Sequence, residues 1–223
     1  MKINLIELFE ESVKKYPQKV AVIDKDREIT FSDLREQSII LAQKIIYSGA
    51  CQNRPVAVFL DKSIESVYSD LGIIYSGNFY MNLDIKTPAE RISNILKLVE
   101  PRFIISTSKQ IKSIETIIPD TIDVILLDEN DRKVCLDEAY VLSKLSTIID
   151  TDPSCIINTS GSTGTPKGVV LNHKSFFDFT EWAIDTFKFE DDLVMGSLSP
   201  IVFDIYSFEL CMLMAKASTL VVL

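Results

Sequence analysis

The stretch Cys155 to His173, CIINTSGSTGTPKGVVLNH, decides how the rest of this sequence is read. A short apolar segment of β-type residues runs straight into a loop of Thr, Ser, Gly and one Lys, and a second apolar segment leaves it. Small residues let the backbone approach a ligand closely. Consecutive N–H groups and the hydroxyls of Thr159, Ser160, Ser162, Thr163 and Thr165 have the chemistry to surround phosphate oxygens, and Lys167 adds a point charge. A flexible polar turn is the plain alternative, but the run ends in Pro-Lys-Gly between two β segments. It is not a Walker loop, which needs Gly before Lys and Ser/Thr after it, because Pro166 precedes Lys167 and Gly168 follows. Nor is it G-x-G-x-x-G.

Working outward, apolar positions alternate between helical and strand-like spacing, the pattern of an α/β architecture. Leu5, Ile6, Phe9 and Val13 mark a helix that stops near Pro17; Val20 to Ile23 is a strand; Ser32 begins a long helix ending at Gly49. Val56 to Leu60 is a buried strand, and a helix over Ser63 to Tyr75 stops at Gly77. A strand at Phe79 to Leu83, a helix opened by Pro88, and strands at Phe103 to Ser106 and Val124 to Leu127 follow. Residues 129–152 are polar and irregular apart from Tyr140 to Leu145, and form the one candidate internal boundary. The helix from about Ile205 leads into an apolar strand at Thr219 to Leu223, where the sequence stops; either that strand completes a sheet, or the sequence is part of something longer.

The composition narrows the function. With 23 Lys and Arg against 32 Asp and Glu, a formal charge of −9 and no basic block, the chain lacks the clustered positive charge that nucleic-acid backbones require. The cysteines, Cys51, Cys135, Cys155 and Cys211, are never paired as C-x-x-C, and His173 is the lone histidine, so neither a disulfide framework nor a metal site is expected. The N-terminus carries acids at Glu7, Glu10 and Glu11 where a signal peptide is apolar, which favours a cytoplasmic location. The apolar C-terminal stretch is interrupted by Asp204, Glu209 and Lys216 and is not expected to insert into a membrane.

Two further signals concern chemistry. Ser160 or Ser162 on a strand-to-loop turn, or Cys155, with His173 as base, suggests a hydrolase, but no G-x-S-x-G elbow exists and His173 reads better as a structural residue. In Ser199 to Leu210, SPIVFDIYSFEL, Asp204 stands among apolar residues and needs a partner if it is buried. Its plain alternative is a helix N-cap.

The loop TSGSTGTPKG, Thr159 to Gly168, resembles the phosphate-loop signature of the adenylate-forming superfamily, which includes nonribosomal-peptide adenylation domains, D-alanine–carrier-protein ligases, acyl-CoA synthetases and luciferases. The likeness extends along nearly the whole chain. ITFSDL at Ile29 to Leu34 is similar to "L-T-Y-x-E-L", and IYSGNFYMNLD followed by TPAERI is similar to "L-K-A-G-x-A-Y-V-P-L-D" followed by "P-A-E-R-I". The sequence departs at Asn82, where the family usually has Pro, and at Asn158, where Tyr is common.

The resemblance implies an α/β fold, the N-terminal part of the large subdomain of an adenylate-forming enzyme, with layered helices on mostly parallel sheets. It implies that Thr159, Ser160, Gly161, Ser162, Thr163, Gly164, Thr165 and Lys167 grip the phosphates of ATP, with Lys167 the catalytic cation and Mg²⁺ bridging phosphate oxygens. The segment around Asp204 is similar to "F-D-x-S-x-x-E" of amino-acid-activating members, in which the Asp receives the substrate α-ammonium. Asp204 carries over as that residue, Ile205 and Phe208 as side-chain-reading positions, and Glu209 as the motif's acid. The implied activity is formation of aminoacyl-AMP with release of pyrophosphate, for transfer to the phosphopantetheine thiol of a carrier protein or domain. An acyl- or aryl-CoA ligase and a non-catalytic relic of the fold are the rivals. Nothing in the sequence resembles the family's later segments, so residues 1–223 are expected to be the N-terminal portion of an adenylation domain, inactive in isolation.

Overall fold

The computed structural model describes residues 2–49, 51–128, 136–160, 166–190 and 192–223, with Ser160 and Pro166 through their backbone alone. In chain order its elements are α1 (Leu5–Lys15), β1 (Val20–Asp24), β2 (Arg27–Thr30), α2 (Phe31–Tyr47), β3 (Pro55–Phe59), α3 (Ile64–Tyr75), β4 (Phe79–Leu83), α4 (Ala89–Val99), β5 (Phe103–Ser106), β6 (Asp123–Leu126), α5 (Glu138–Leu145), β7 (Pro153–Ser160), β8 (Pro166–Asn172), α6 (His173–Phe187), β9 (Val194–Ser197), α7 (Asp204–Lys216) and β10 (Thr219–Val222).

Strand periodicity builds the larger sheet. Along β3, Val56 and Val58 enter one core while Ala57 and Phe59 enter the other, and all four are fully buried. A strand covered on both faces reads as a continuous apolar run, as this one does. Six strands line up as β6-β5-β3-β4-β7-β8, parallel throughout except for the β7–β8 hairpin. Ile92, Ile95 and Leu96 of α4 cover one face, and α3, with Val67, Leu71 and Ile74, covers the other. The smaller sheet has the order β2-β1-β10-β9, with β1–β2 antiparallel and the remaining pairs parallel. Side chains of α1, α2, α3 and α7 join both sheets in one core, in which burial of a residue such as Phe9 or Phe31 contributes about 1.5 to 3 kcal/mol.

The helix signals are realised locally. Thr30 caps α2, its Oγ1 accepting from Asp33 N–H at 3.1 Å. Gly49 and Gly77, just past α2 and α3, adopt φ of +84° and +78°, the left-handed turn that glycine permits without cost. The segment Tyr140 to Leu145 is the body of α5, whose Val141 and Leu145 enter the main core.

One result differs from the sequence reading and one meets an alternative it offered. No element is assigned there to 173–187, yet α6 is a regular helix, capped by Asn172 Oδ1 accepting from Ser175 N–H at 2.8 Å. Its buried side carries Phe176, Thr180 and Ala183, and its outer face mixes the exposed aromatics Phe179, Trp182 and Phe187 with polar residues such as Asp178, Glu181 and Asp185. The C-terminal strand is part of a sheet, one of the expectations for it: β10 lies between β1 and β9, so the apolar Leu220 and Val222 have neighbours on both sides within this chain. No described helix is long and apolar enough to cross a membrane.

Candidate functional site at the ends of β4 and β7

The β7–β8 hairpin pairs Thr159 with Lys167 and Ser160 with Pro166, and so presents the intervening loop from its tip. Gly161, Ser162, Thr163, Gly164 and Thr165 lie outside the described residues. At the stem, Thr159 Oγ1 donates to the Lys167 carbonyl at 3.3 Å, and Lys167 is exposed. Both polar atoms of the Asn158 carboxamide are buried without a partner. Gly168 keeps this stem thin: a Cβ there would stand 3.0 Å from Ile156 Cγ2 and 3.7 Å from Asn158 Oδ1.

Beside the hairpin stem is a cleft of about 730 Å³, lined among others by Asn82, Asp84, Arg91, Thr159, Phe203 and Asp204. It opens at the carboxyl ends of β4 and β7, where parallel sheets habitually bind ligands. Thr159 and Asp204, which stand 45 positions apart in the chain (204 − 159), thus share one cavity.

Asp204 is not the N-cap of α7. Phe203 holds that position without a side-chain capping bond, and Asp204 is the first helical residue, its Oδ1 accepting from Ile205 N–H at 2.9 Å. It is exposed rather than buried among its apolar neighbours, for a simple reason. Helix α7 turns Tyr206, Ser207, Glu209, Leu210, Cys211, Met212, Leu213 and Met214 into the protein and leaves Asp204, Ile205 and Phe208 on its outer face. The helix N-terminus favours the negative charge placed there. Ile205 and Phe208 share that face but do not line the cleft; the Phe208 ring meets Phe179 edge-on at 5.5 Å and Phe189 at 6.3 Å.

The hydrolase alternative has no support in the geometry. His173 is 1% exposed, its Nδ1 accepts from Leu5 N–H at 3.3 Å, and burial pushes its pKa down to about 4. It is a neutral tie between α6 and α1. Burial pushes the Cys155 thiol up to about 12, so no thiolate is at hand.

Beneath the cleft runs a polar network that pattern reading overlooks. The Asp70 carboxyl on α3, fully buried, accepts at Oδ2 from Asn82 Nδ2 at 3.1 Å and from the Tyr206 hydroxyl at 3.0 Å. Asn82 Nδ2 also donates to the Ile201 carbonyl at 3.3 Å, in the turn that leads to Asp204. Burial raises the Asp70 carboxyl to about 7. Farther along α7, Glu209 Oε2 accepts from Ser197 Oγ at 2.5 Å, while Lys62 Nζ donates to the carbonyls of Ser197 and, at 3.0 Å, Ser199. The Glu209 carboxyl is raised by burial. The one sequence hint of this network is Asn82 itself, standing where Pro is usual.

The fold is an α/β protein with a cleft at the carboxyl ends of its parallel strands, and comparison with known proteins gives the family: residues 9–223 match the model of the AMP-binding enzyme family, to which this chain belongs. Among relatives, tyrocidine synthase 1 of Brevibacillus parabrevis is 27% identical over 220 residues, covering 99% of this chain and 20% of that protein. The dimodular nonribosomal peptide synthase of Bacillus subtilis (strain 168) is 30% identical over 223 residues, covering 99% of this chain and 9% of that protein. The chain therefore spans a fifth or less of the length of these relatives. In three dimensions it is similar to the nonribosomal peptide synthetase FmoA3, at 20% identity in both states. The AMPPNP-bound form gives a TM-score of 0.85 over 99% of this chain and 22% of that one, and the α-methyl-L-serine-AMP-bound form 0.87 over 98% and 24%. The fold expected from the sequence, helices layered on mostly parallel sheets, is the one observed.

Proposed function

We propose that the protein containing this chain activates an amino acid, forming aminoacyl-AMP from ATP and releasing pyrophosphate, for transfer to the phosphopantetheine thiol of a carrier protein or domain. The observation that carries this reading is the single cleft lined by both Thr159, at the stem of the phosphate hairpin, and Asp204, at the start of α7. A reaction joining an ammonium-bearing carboxylate to a nucleotide needs an anion-binding wall and an ammonium-binding carboxylate in one space. The AMPPNP and aminoacyl-AMP complexes of FmoA3 support the same assignment by likeness of fold.

In the reaction, a carboxylate oxygen of the amino acid forms a bond to the α-phosphorus. The bond from that phosphorus to the bridging oxygen of the β-phosphate breaks, and the electron pair leaves with pyrophosphate. The protein's task is positioning and charge neutralisation. Thr159, Ser160, Gly161, Ser162, Thr163, Gly164 and Thr165 supply hydroxyl and N–H donors to the phosphates, and Lys167 supplies the positive charge. Asp204 receives the α-ammonium; Ile205 and Phe208, which stand on the same helix face but outside this cleft, are side-chain-reading positions by resemblance alone. Mg²⁺ arriving with the nucleotide would supply further positive charge against the departing pyrophosphate. The described residues contain no group of three or more His, Cys, Asp or Glu able to hold a metal, and a magnesium ion carried by phosphate oxygens and water requires none. On this reading residues 1–223 form the N-terminal portion of an adenylation domain, working in the cytoplasm.

Amino-acid-dependent exchange of labelled pyrophosphate into ATP, measured on the protein containing this chain with a panel of amino acids, tests the proposal. Exchange supported by one amino acid or a few related ones is expected. Exchange driven instead by carboxylic acids lacking an amine, and indifferent to substitution of Asp204, would replace amino-acid activation with acyl or aryl activation.

A further inference from the structure

Asp70 combines three observations that do not fit an ordinary carboxylate. It is fully buried, and the groups that interact with it are Asn82, Tyr206, Tyr80 and Cys155, none of them a cation among the described residues. The charged side chains nearby are engaged elsewhere: Glu65 of the same helix pairs with Arg27, and Lys62 and Glu209 meet Ser197. Finally, exactly two oxygens of this network lack a partner, Asp70 Oδ1 and Asn82 Oδ1, and both are buried. An isolated carboxylate in such a place costs several kcal/mol, and an unmatched amide oxygen about 1 to 3 kcal/mol. One proton removes both costs.

We propose that Asp70 is a neutral acid in the folded protein, its Oδ1–H donating to Asn82 Oδ1 while Asn82 Nδ2–H donates to Asp70 Oδ2, so that a carboxyl–carboxamide ring holds the cleft in shape. The ring orients Asn82, a wall of the cleft, and through its second N–H the Ile201 carbonyl of the turn before Asp204. The Tyr206 hydroxyl fastens the first turn of α7 to the same carboxyl. Asp70 is thereby a positioning residue for Asp204, and Asn82 is no random departure from proline: only a side chain with a donor and an acceptor completes the ring. The protonation and the ring rest on the buried geometry alone; that Asp204 binds an ammonium rests on the proposed function.

Asp70→Asn is the diagnostic variant, because a second carboxamide reproduces the neutral acid's donor and acceptors without its proton. A group raised from 3.8 to about 7 by folding stabilises the native state below its unfolded pKa and loses that contribution as pH rises through its folded one. The melting temperature of Asp70→Asn minus that of the unaltered chain should therefore grow between about pH 4 and pH 7 and then level off. A difference that is flat, or that shrinks with rising pH, overturns the proposal. Should the variant fail to fold, carbon-13-labelled aspartate in the unaltered chain gives the same answer by NMR: one carboxyl remaining protonated at about pH 6 supports the ring, and all aspartates ionised there refute it. Positioning is read from the amino-acid KM in pyrophosphate exchange by the protein containing this chain. Asp70→Ala should raise it at least fivefold, with Asp70→Asn restoring it to within twofold and the ATP KM unmoved in both. Equal effects of Ala and Asn would reject positioning by a neutral ring. Absence of any amino-acid-dependent exchange, with the protonated carboxyl still seen, would overturn the proposed function while leaving the ring intact.

Discussion

The β7–β8 hairpin and the first turn of α7 line the same cleft and are held in place by opposite means. The hairpin is secured by backbone register, from Pro153 opposite Asn172 to Ser160 opposite Pro166, and by the thinness that Gly168 allows. Helix α7 is secured by side chains, with Tyr206 bonded to buried Asp70, Glu209 bonded to Ser197, and most of its remaining positions packed into the core. A wall made of main-chain donors tolerates a ligand that is mostly charge, such as a polyphosphate. A wall made of interlocked side chains suits a ligand that must be told apart from close relatives. That contrast suits the proposed function, in which one side of the cleft would grip the nucleotide and the other would choose the substrate.

The largest expected effect lies on the substrate side. Asp204→Asn removes the negative charge while keeping the bond to Ile205 N–H, so the helix end is undisturbed. The amino-acid KM in pyrophosphate exchange should rise roughly a hundredfold, about 3 kcal/mol, with the ATP KM changed less than about twofold. A lower melting temperature with unaltered kinetics would reduce Asp204 to a helix-end residue and erase the division between the two walls.

On the nucleotide side the mirror-image result is expected. Lys167→Ala should slow exchange by roughly one to two orders of magnitude, about 1.4 to 2.8 kcal/mol for one charge-assisted contact, and leave the amino-acid KM alone. Unchanged rates across ATP concentrations would take Lys167 out of the phosphate site.

The two walls were unequally legible in the sequence. The β7–β8 pairing was readable because two apolar β segments flank a contiguous run of small hydroxylated residues. The roles of Asp204, Ile205 and Phe208 were suggested only by resemblance, and local pattern suggested a buried or capping Asp204 where the structure has an exposed one at the first helical position. The network under α7 was not readable at all. Asp70, Asn82 and Tyr206 come from α3, β4 and α7, and nothing local distinguishes Asp70 from a solvent-facing helical aspartate. Helix α6 went unassigned although Phe176, Thr180 and Ala183, buried at helical spacing, mark its inner face.

The next prediction joins the two sides through pH. His173, lowered from 6.5 to about 4, contributes stability that is present above its unfolded pKa and lost as pH falls toward 4; Asp70 contributes stability that is lost as pH rises toward 7. Between about pH 5 and 6.5 the two slopes oppose each other, each worth about 1.5 to 2 kcal/mol across that window, so the unaltered chain should be nearly level there. His173→Asn keeps an acceptor for Leu5 N–H but removes the titration, and its stability to urea should fall as pH is raised from 5 to 6.5. A profile as level as the parent's would show that both groups titrate in the folded protein as they do in the unfolded one.

The smallest effect is expected at the hairpin stem. Thr159 Oγ1 now donates to the Lys167 carbonyl at a long 3.3 Å in an exposed position, a bond contributing about 0.5 to 1 kcal/mol at most. Thr159→Val preserves the β-branched shape that suits a strand and deletes only the hydroxyl. If that hydroxyl turns to a phosphate when nucleotide binds, the ATP KM should rise about two- to tenfold while the melting temperature moves by no more than a degree or two and the amino-acid KM stays fixed. A lowered melting temperature with an unmoved ATP KM would make the hydroxyl a latch across the hairpin. The proposed nucleotide grip would then begin at Ser160, and Thr159 would serve the hairpin alone.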